Sequence, residues 1–322
     1  MVAACRGIGR SAIVLTALVA ARSQALEVAV QPRVSVGMQD YQLTFPDVIT
    51  PHLNDNRITV RDGFSIRDHL PYVGAGLTAS SGNLFVDLSG QWSKTGHDTG
   101  FIFQGNSLNF PYGFGGSGGH NHSIDSRFGR QELNATIGYA LSPNFSAYVG
   151  YKQATLNITQ LRTPFFNPPP QNGDVLQYGN YIMDFSYHGF FLGTTYSLPI
   201  GSWGALSAQA SIARLNASFK QHFDGLLFIY TSIQTAAGSV IGLPIPLSPS
   251  LENSSVHGDS TGLNVGISWT GNIGVASNPV HGLTYTLGVD QSQYRFNGSA
   301  TDGNFEEKNT RFRFELRYRF GL

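Results

Sequence analysis

The stretch Arg311-Phe312-Arg313-Phe314-Glu315-Leu316-Arg317-Tyr318-Arg319-Phe320-Gly321-Leu322 decides the fold. Every even position from Phe312 to Leu322 is apolar, and every odd position from Arg311 to Arg319 is charged. In an extended chain successive side chains point to opposite faces, so one face of this strand is wholly apolar and the other carries five charges in a row. A soluble sheet would have to bury that charged row or expose that apolar row, and both are costly. A strand with lipid on one side and a polar lumen on the other meets no such conflict.

The same alternation recurs along the chain. Leu84, Val86 and Leu88 oppose Asp87, Ser89 and Gln91, and Trp92 closes that strand. Leu133, Ala135, Ile137 and Tyr139 oppose Glu132, Asn134, Thr136 and Gly138. Leu263, Val265, Ile267 and Trp269 oppose Asn264, Gly266 and Ser268, while Leu283, Tyr285, Leu287 and Val289 oppose Thr284, Thr286, Gly288 and Asp290. The pattern predicts ten strands, at 28–44, 69–79, 83–96, 127–141, 145–160, 180–198, 204–220, 260–274, 282–296 and 310–322. Their connections alternate between short ones, at 80–82, 142–144, 199–203 and 275–281, and long ones, at 45–68, 97–126, 161–179, 221–259 and 297–309. Short periplasmic turns alternating with long outer loops are the signature of an up-and-down transmembrane barrel, whereas a soluble β-sandwich has no reason for the asymmetry. The expected architecture is therefore all-β, an antiparallel barrel of about ten strands spanning residues 26–322, with both ends in the periplasm. Twelve strands follow instead if residues 226–247 add a membrane hairpin.

At class level the chain resembles the small bacterial outer-membrane up-and-down β-barrel proteins. The residues that carry the resemblance are Phe314, Leu316, Tyr318 and Phe320, which match the class's terminal assembly signal; Gly321 and Leu322 are added beyond it. The resemblance implies outer-membrane lipid and the barrel-assembly machinery as partners. Tyr and Trp favour the membrane interface. Tyr139, Phe145, Trp203, Tyr318 and Phe320 are accordingly expected in an inner aromatic girdle, and Trp92 in the outer one.

Composition agrees. Charged residues make up 12% of the chain, about half the share in soluble domains, and there are 38 glycines. Lys plus Arg and Asp plus Glu are 20 each, so no basic surplus exists for a nucleic-acid partner. At the N-terminus, Arg6 and Arg10 precede the apolar run Ser11–Ala20, and Ser23-Gln24-Ala25 offers small residues to a signal peptidase. Residues 1–25 read as a cleaved leader for export to the outer membrane of a Gram-negative cell envelope. Ten apolar residues are too few to span a bilayer as a helix. The single cysteine, Cys5, falls inside this leader.

Function is read from three regions. Arg33, Asp290, Arg311, Arg313, Glu315, Arg317 and Arg319 face the lumen by parity and form a charged ladder. That ladder is either an anion-selecting filter for a small solute or an ion-pair network packing a narrow barrel; the inward Gly74, Gly76, Gly138 and Gly288 leave side-chain volume free for a passage. Asp184, Ser186 and His188 place a carboxylate, a hydroxyl and an imidazole on one strand face. This set is similar to the Asp and His pairs at the rim of omptin proteases, which implies a rim hydrolase. Residues four apart on a strand are about 13 Å apart, no facing Asp-x-Asp motif accompanies them, and a bulge near Gly189 is needed to reconcile the set with the apolar Phe190, Leu192 and Tyr196. In the outer loops, His97, Asp98, His120 and His122 sit in a Gly-rich segment that argues against a rigid metal site, and the loops at 97–126 and 221–259 suit a surface receptor or adhesin. No nucleotide loop, metal-ligand spacing or cofactor fingerprint is present. The expectation is a non-enzymatic, structural or narrow porin-like barrel.

Overall fold

The computed structural model describes residues 28–45, 49–53, 56–61, 65–109, 115–164, 175–229, 232–235, 238–241, 245–247, 254–275, 278–298 and 304–321. The leader expected over 1–25 lies outside the described residues. Ten strands form the wall: β1 Ala29–Thr44, β2 Ser65–Ser81, β3 Leu84–Ser93, β4 Gly115–Ser142, β5 Phe145–Pro164, β6 Val175–Pro199, β7 Ala205–Ile229, β8 Ser254–Val275, β9 Asn278–Gly298 and β10 Asn304–Tyr318. Each pairs antiparallel with its sequence neighbours. The barrel closes where β10 returns to β1, with Arg33 opposite Arg317 and Thr44 opposite Glu306. Arg319 interrupts the ladder, and Phe320–Gly321 resumes it against Val30 and Ala29. Closure leaves the wall without the unpaired edge that lipid would penalise.

One end carries the short turns. Gly82 takes φ 56 in the β2–β3 turn, a left-handed conformation that suits glycine, and Gly201–Trp203 form a single 3-10 turn between β6 and β7. The other end carries the long connections, and much of what reads as loop in the sequence is strand. The segment Gly96–Asn109 continues β3 along the same partner after an irregularity at Lys94 and Thr95, pairing with Gly115–Phe128 of β4. Asn56–Arg61 pairs onto its far side. Ser232–Thr235 and Gly238–Ile241 form a separate hairpin, and Ile245–Leu247 pairs with Leu227–Ile229 of β7. The segment 226–247 therefore adds no strand to the ring, which has ten.

Outward residues toward the turn end are apolar on all ten strands: Val34, Val36 and Met38 on β1, Leu133, Ile137 and Tyr139 on β4, Phe190, Leu192, Tyr196 and Leu198 on β6, and Phe312, Phe314 and Phe320 at the end of the chain are all exposed. On the terminal stretch the belt runs from Phe312 to Phe320, eight steps of about 3.4 Å inclined by about 40°, or about 20 Å along the barrel axis. Beyond it, outward positions turn polar, and inward positions turn apolar. Tyr41, Leu43 and Phe45 on β1, Leu156 and Ile158 on β5, Tyr181, Met183, Phe185 and Tyr187 on β6, Leu215 and Phe219 on β7, Tyr294 and Phe296 on β9 and Phe305 on β10 are buried inside the loop-end half of the barrel. The apolar face thus switches sides along each of these strands, from outside to inside, without a break in pairing.

Inward glycines do not leave the lumen open. Gly37, Gly138, Gly150, Gly193 and Gly262 sit directly opposite Tyr72, Phe85, Phe191, Tyr148 and Tyr294. In each pair the ring occupies the space that a Cβ on the glycine would need. The Arg33 guanidinium lies over Gly76 in the same way, Ser35 covers Gly74, and Ser268 and Arg313 flank Gly288. These glycines are sockets for neighbouring side chains rather than gaps.

Candidate functional site: the layered lumen

The interior has three levels. At mid-height Glu132 of β4, with its side chain 1% exposed, draws together three cations. Arg130 Nη2 lies 2.6 Å from it, Lys152 Nζ 3.0 Å and Arg311 Nη1 3.2 Å, and Asn134 Nδ2 donates to it at 2.9 Å. Arg130 also donates to Glu307 Oε1 at 3.1 Å and to the Tyr187 hydroxyl at 2.7 Å, and that hydroxyl donates to Glu307 at 2.9 Å. Arg311 completes the layer through Asp290 at 2.6 Å and Gln91 Oε1 at 2.9 Å, while Lys152 donates to the Tyr294 hydroxyl at 3.0 Å. Three cations, Arg130, Lys152 and Arg311, meet three carboxylates, Glu132, Asp290 and Glu307, so the layer is neutral. Buried charges persist only when paired and hydrogen-bonded in this way.

Above this layer, toward the loop end, lies the apolar core described above. Phe185 packs edge-on against Phe296 with ring centroids 4.8 Å apart and stacks on Phe305 at 5.8 Å, and Phe45 meets both Phe219 and Phe305 edge-on. The Arg162 guanidinium lies 3.7 Å from the Tyr181 ring centre. Below it, toward the turns, is a polar cavity of about 440 Å³. One wall bears Arg33, Asp87, Arg313, Glu315 and Arg317; the facing wall bears uncharged groups such as Thr195, Ser207, Gln209, Ser211 and Asn264. Arg33 grips Asp87 with two nitrogens, one of them 2.7 Å from Oδ2. Glu315 is paired with Arg317, lies 3.5 Å from Arg33, and reaches Arg313 only at 4.0 Å.

The charged ladder read from the sequence divides between these levels. Asp290 and Arg311 belong to the neutral layer, Arg33, Arg313, Glu315 and Arg317 to the cavity, and Arg319 is exposed outside the regular ladder. Of the residues that complete the network, Arg130, Glu132, Lys152 and Asp87 fall on the polar parity of expected strands, Glu132 alternating with Leu133 and Lys152 with Tyr151, whereas Glu307 falls in the stretch 297–309 read as loop and belongs to β10. The expected girdle residues Tyr139, Phe145, Tyr318 and Phe320 lie outward at the turn end of the belt, Tyr318 and Phe320 with rings 4.5 Å apart, and Trp203 is 78% exposed in the 3-10 turn. Trp92 lies at the belt's opposite limit.

The bulge expected near Gly189 is corrected. Asp184 and His188 lie exposed on the outer surface of β6, and Ser186 shares their face, opposite Lys220, Asn216 and Ser218. No bulge occurs at Gly189: the pairing of β6 with β7 runs in register from Val175 to Pro199. In the Gly-rich segment, His97 is exposed and lies 3.0 Å from Asp125, whereas His122 is fully buried. The side chain of His120 lies outside the described residues, and no group of metal-ligating side chains is found among the described ones.

No family model and no curated protein matches the chain. Among solved structures, the outer-membrane protease OmpT of Escherichia coli aligns over 91% of this chain and 97% of its own, with TM-score 0.54 and 9% identity. The translocator domain of the autotransporter NalP of Neisseria meningitidis aligns over 96% and 94% with TM-score 0.35 and 10% identity, and Ail of Yersinia pestis over 90% and 98% with TM-score 0.30 and 7% identity. The chain has the fold of the bacterial outer-membrane β-barrels. Within that class it is a closed antiparallel barrel of ten strands, and at this level of identity the likeness to OmpT extends to the fold alone.

Proposed function

We propose that this protein is a structural, non-conducting barrel of the bacterial outer membrane, which holds a β-extension above the membrane surface. The carrying observation is the Glu132-centred layer. It joins β3, β4, β5, β6, β9 and β10 across the lumen through side chains that leave almost no surface to solvent, and the apolar core lies directly above it. An ion following the axis would have to break paired, buried charges and then cross a buried aromatic layer, and both steps are costly. The solute filter considered from the sequence is therefore the weaker reading. The belt supports lipid as the surrounding medium, and the terminal Phe314–Phe320 alternation supports handling by the barrel-assembly machinery.

The test is conductance of the refolded protein in planar bilayers. A correctly folded barrel should give no steps; reproducible unitary currents would falsify the closed reading. A second reading, a surface receptor or adhesin, is favoured by the extension built from Gly96–Asn109, Gly115–Phe128 and Asn56–Arg61, on which Phe101 is 74% exposed. Binding to host cells that disappears when residues 97–126 are shortened is its signature. Catalysis is not proposed, because Asp184, Ser186 and His188 face outward and lie too far apart for a hydrogen-bonded set. Peptide cleavage abolished by His188→Ala would overturn that judgement.

A further inference from the structure

We infer that the turn-end half of the lumen is a blind binding site for a small hydroxylated anion, of the chemical class of a carboxylated or phosphorylated monosaccharide. The inference begins with charge. The mid-height layer is neutral, but below it three guanidiniums, Arg33, Arg313 and Arg317, share two carboxylates, Asp87 and Glu315. Asp87 is committed to Arg33, and Glu315 is drawn to Arg317 and Arg33. Arg313 is left under-paired: its carboxylate contact is only at 4.0 Å, and its side chain, 23% exposed, lines the cavity. A guanidinium that lines a cavity without a close carboxylate, in a layer with surplus positive charge, calls for an anionic acceptor.

The rest of the cavity fits a sugar-like body on that anion. Facing the arginines are Thr195, Ser207, Gln209, Ser211 and Asn264, and Ser268 lies beside Arg313 across Gly288; all are uncharged donors and acceptors suited to hydroxyl groups. The rings of Phe85, Tyr148 and Phe191, half-buried over their glycines, give apolar faces for the C–H side of a pyranose. The volume of about 440 Å³ lies within the usual range of small-molecule sites. Access is from the turn end, where Ser197, Ser207 and Arg317 line the mouth and the Arg317 side chain is 32% exposed. The blind shape rests on the closure proposed above; the charge surplus does not.

The test is isothermal titration of the refolded barrel with D-glucuronate, D-glucose 6-phosphate and D-glucose, with folding of each variant checked by circular dichroism. Saturable binding of glucuronate, at least tenfold tighter than glucose, is expected; tighter binding of the phosphate ester would make phosphate the preferred anion of the same site. Arg313→Gln should weaken binding at least tenfold. Ser207→Leu, which narrows the mouth without altering charge, should also weaken it, and serves if Arg313→Gln does not fold. Absence of saturable binding, glucose binding as well as the anions, or indifference to both substitutions overturns the site. Conductance of the same preparation keeps the two readings apart: silent bilayers without binding remove the site alone, and open pores with binding remove the closure alone.

Discussion

Arg130 and Glu307 are 177 residues apart in the chain, yet inside the barrel Arg130 Nη2 lies 3.1 Å from Glu307 Oε1, with both side chains almost fully buried. The pair ties β4 to β10 through the lumen rather than along the wall. The strand ladder sets each strand against its neighbours; this contact sets opposite sides of the cylinder against each other, and Glu132 is its hub.

Removing that hub leaves three cations without their shared partner. Glu132→Gln should destabilise the folded barrel by about 3–5 kcal/mol, the usual result of breaking a buried ion pair from one side. The double variant Glu132→Gln, Lys152→Met should lose less than the sum of its parts, because the second change removes a charge that the first leaves stranded. Urea unfolding in lipid vesicles, followed by tryptophan fluorescence, measures both.

The glycine sockets make a sharper test of packing. All three nearest neighbours of a Cβ at Gly138 belong to the Phe85 ring. Gly138→Ala should therefore cost about 1–3 kcal/mol by overpacking, and Phe85→Ala in that background should restore part of the loss. Additive destabilisation in the same unfolding assay would show that the ring and the glycine are independent.

Depth in the membrane is tested on β4, where Ile137 lies mid-belt and Gln131 just beyond it. Ile137→Arg should cost about 2–4 kcal/mol, and Gln131→Arg about 0–1 kcal/mol, because the penalty for an outward cation falls toward the interface. Equal costs would mean that the apolar surface does not face lipid.

The terminal strand separates assembly from stability. Phe320 packs against Tyr318 at the seam where the barrel closes. If assembly machinery reads this strand, Phe320→Ala should lower the amount of inserted barrel in cells several-fold, while its refolding yield into vesicles stays near that of the unaltered protein. A parallel loss in both assays would make Phe320 a stability residue only.

The belt strands were legible in the sequence because lipid outside and polar groups inside impose one parity, and Arg311–Phe320 shows it in ten residues. The loop-end half was not, and β6 shows why. Phe190, Leu192, Tyr196 and Leu198 occupy even positions, whereas Tyr181, Met183, Phe185 and Tyr187 occupy odd ones. Read with one rule, that change of parity demands a bulge at Gly189; the strand is regular, and what changes is the medium outside it. Above the belt water replaces lipid, so the apolar side chains turn inward. Residues 97–126 read as loop for another reason, their glycine content, which hides strands that pair from Gly96–Asn109 to Gly115–Phe128. The lumen pairing was half legible: parity gave the ladder on β10, but which carboxylate serves which arginine depends on strands that meet only across the barrel.

The switch of the apolar face has a thermal consequence. The loop-end core is held by water leaving apolar surface, a driving force that weakens on cooling. Opening the seam within the bilayer is not resisted by that force at the belt, since outward side chains there keep hydrocarbon around them. One continuous set of strands thus joins two cohesive regions that answer differently to temperature, and on cooling the seam should loosen first at the end that stands in water while the end in lipid holds its register.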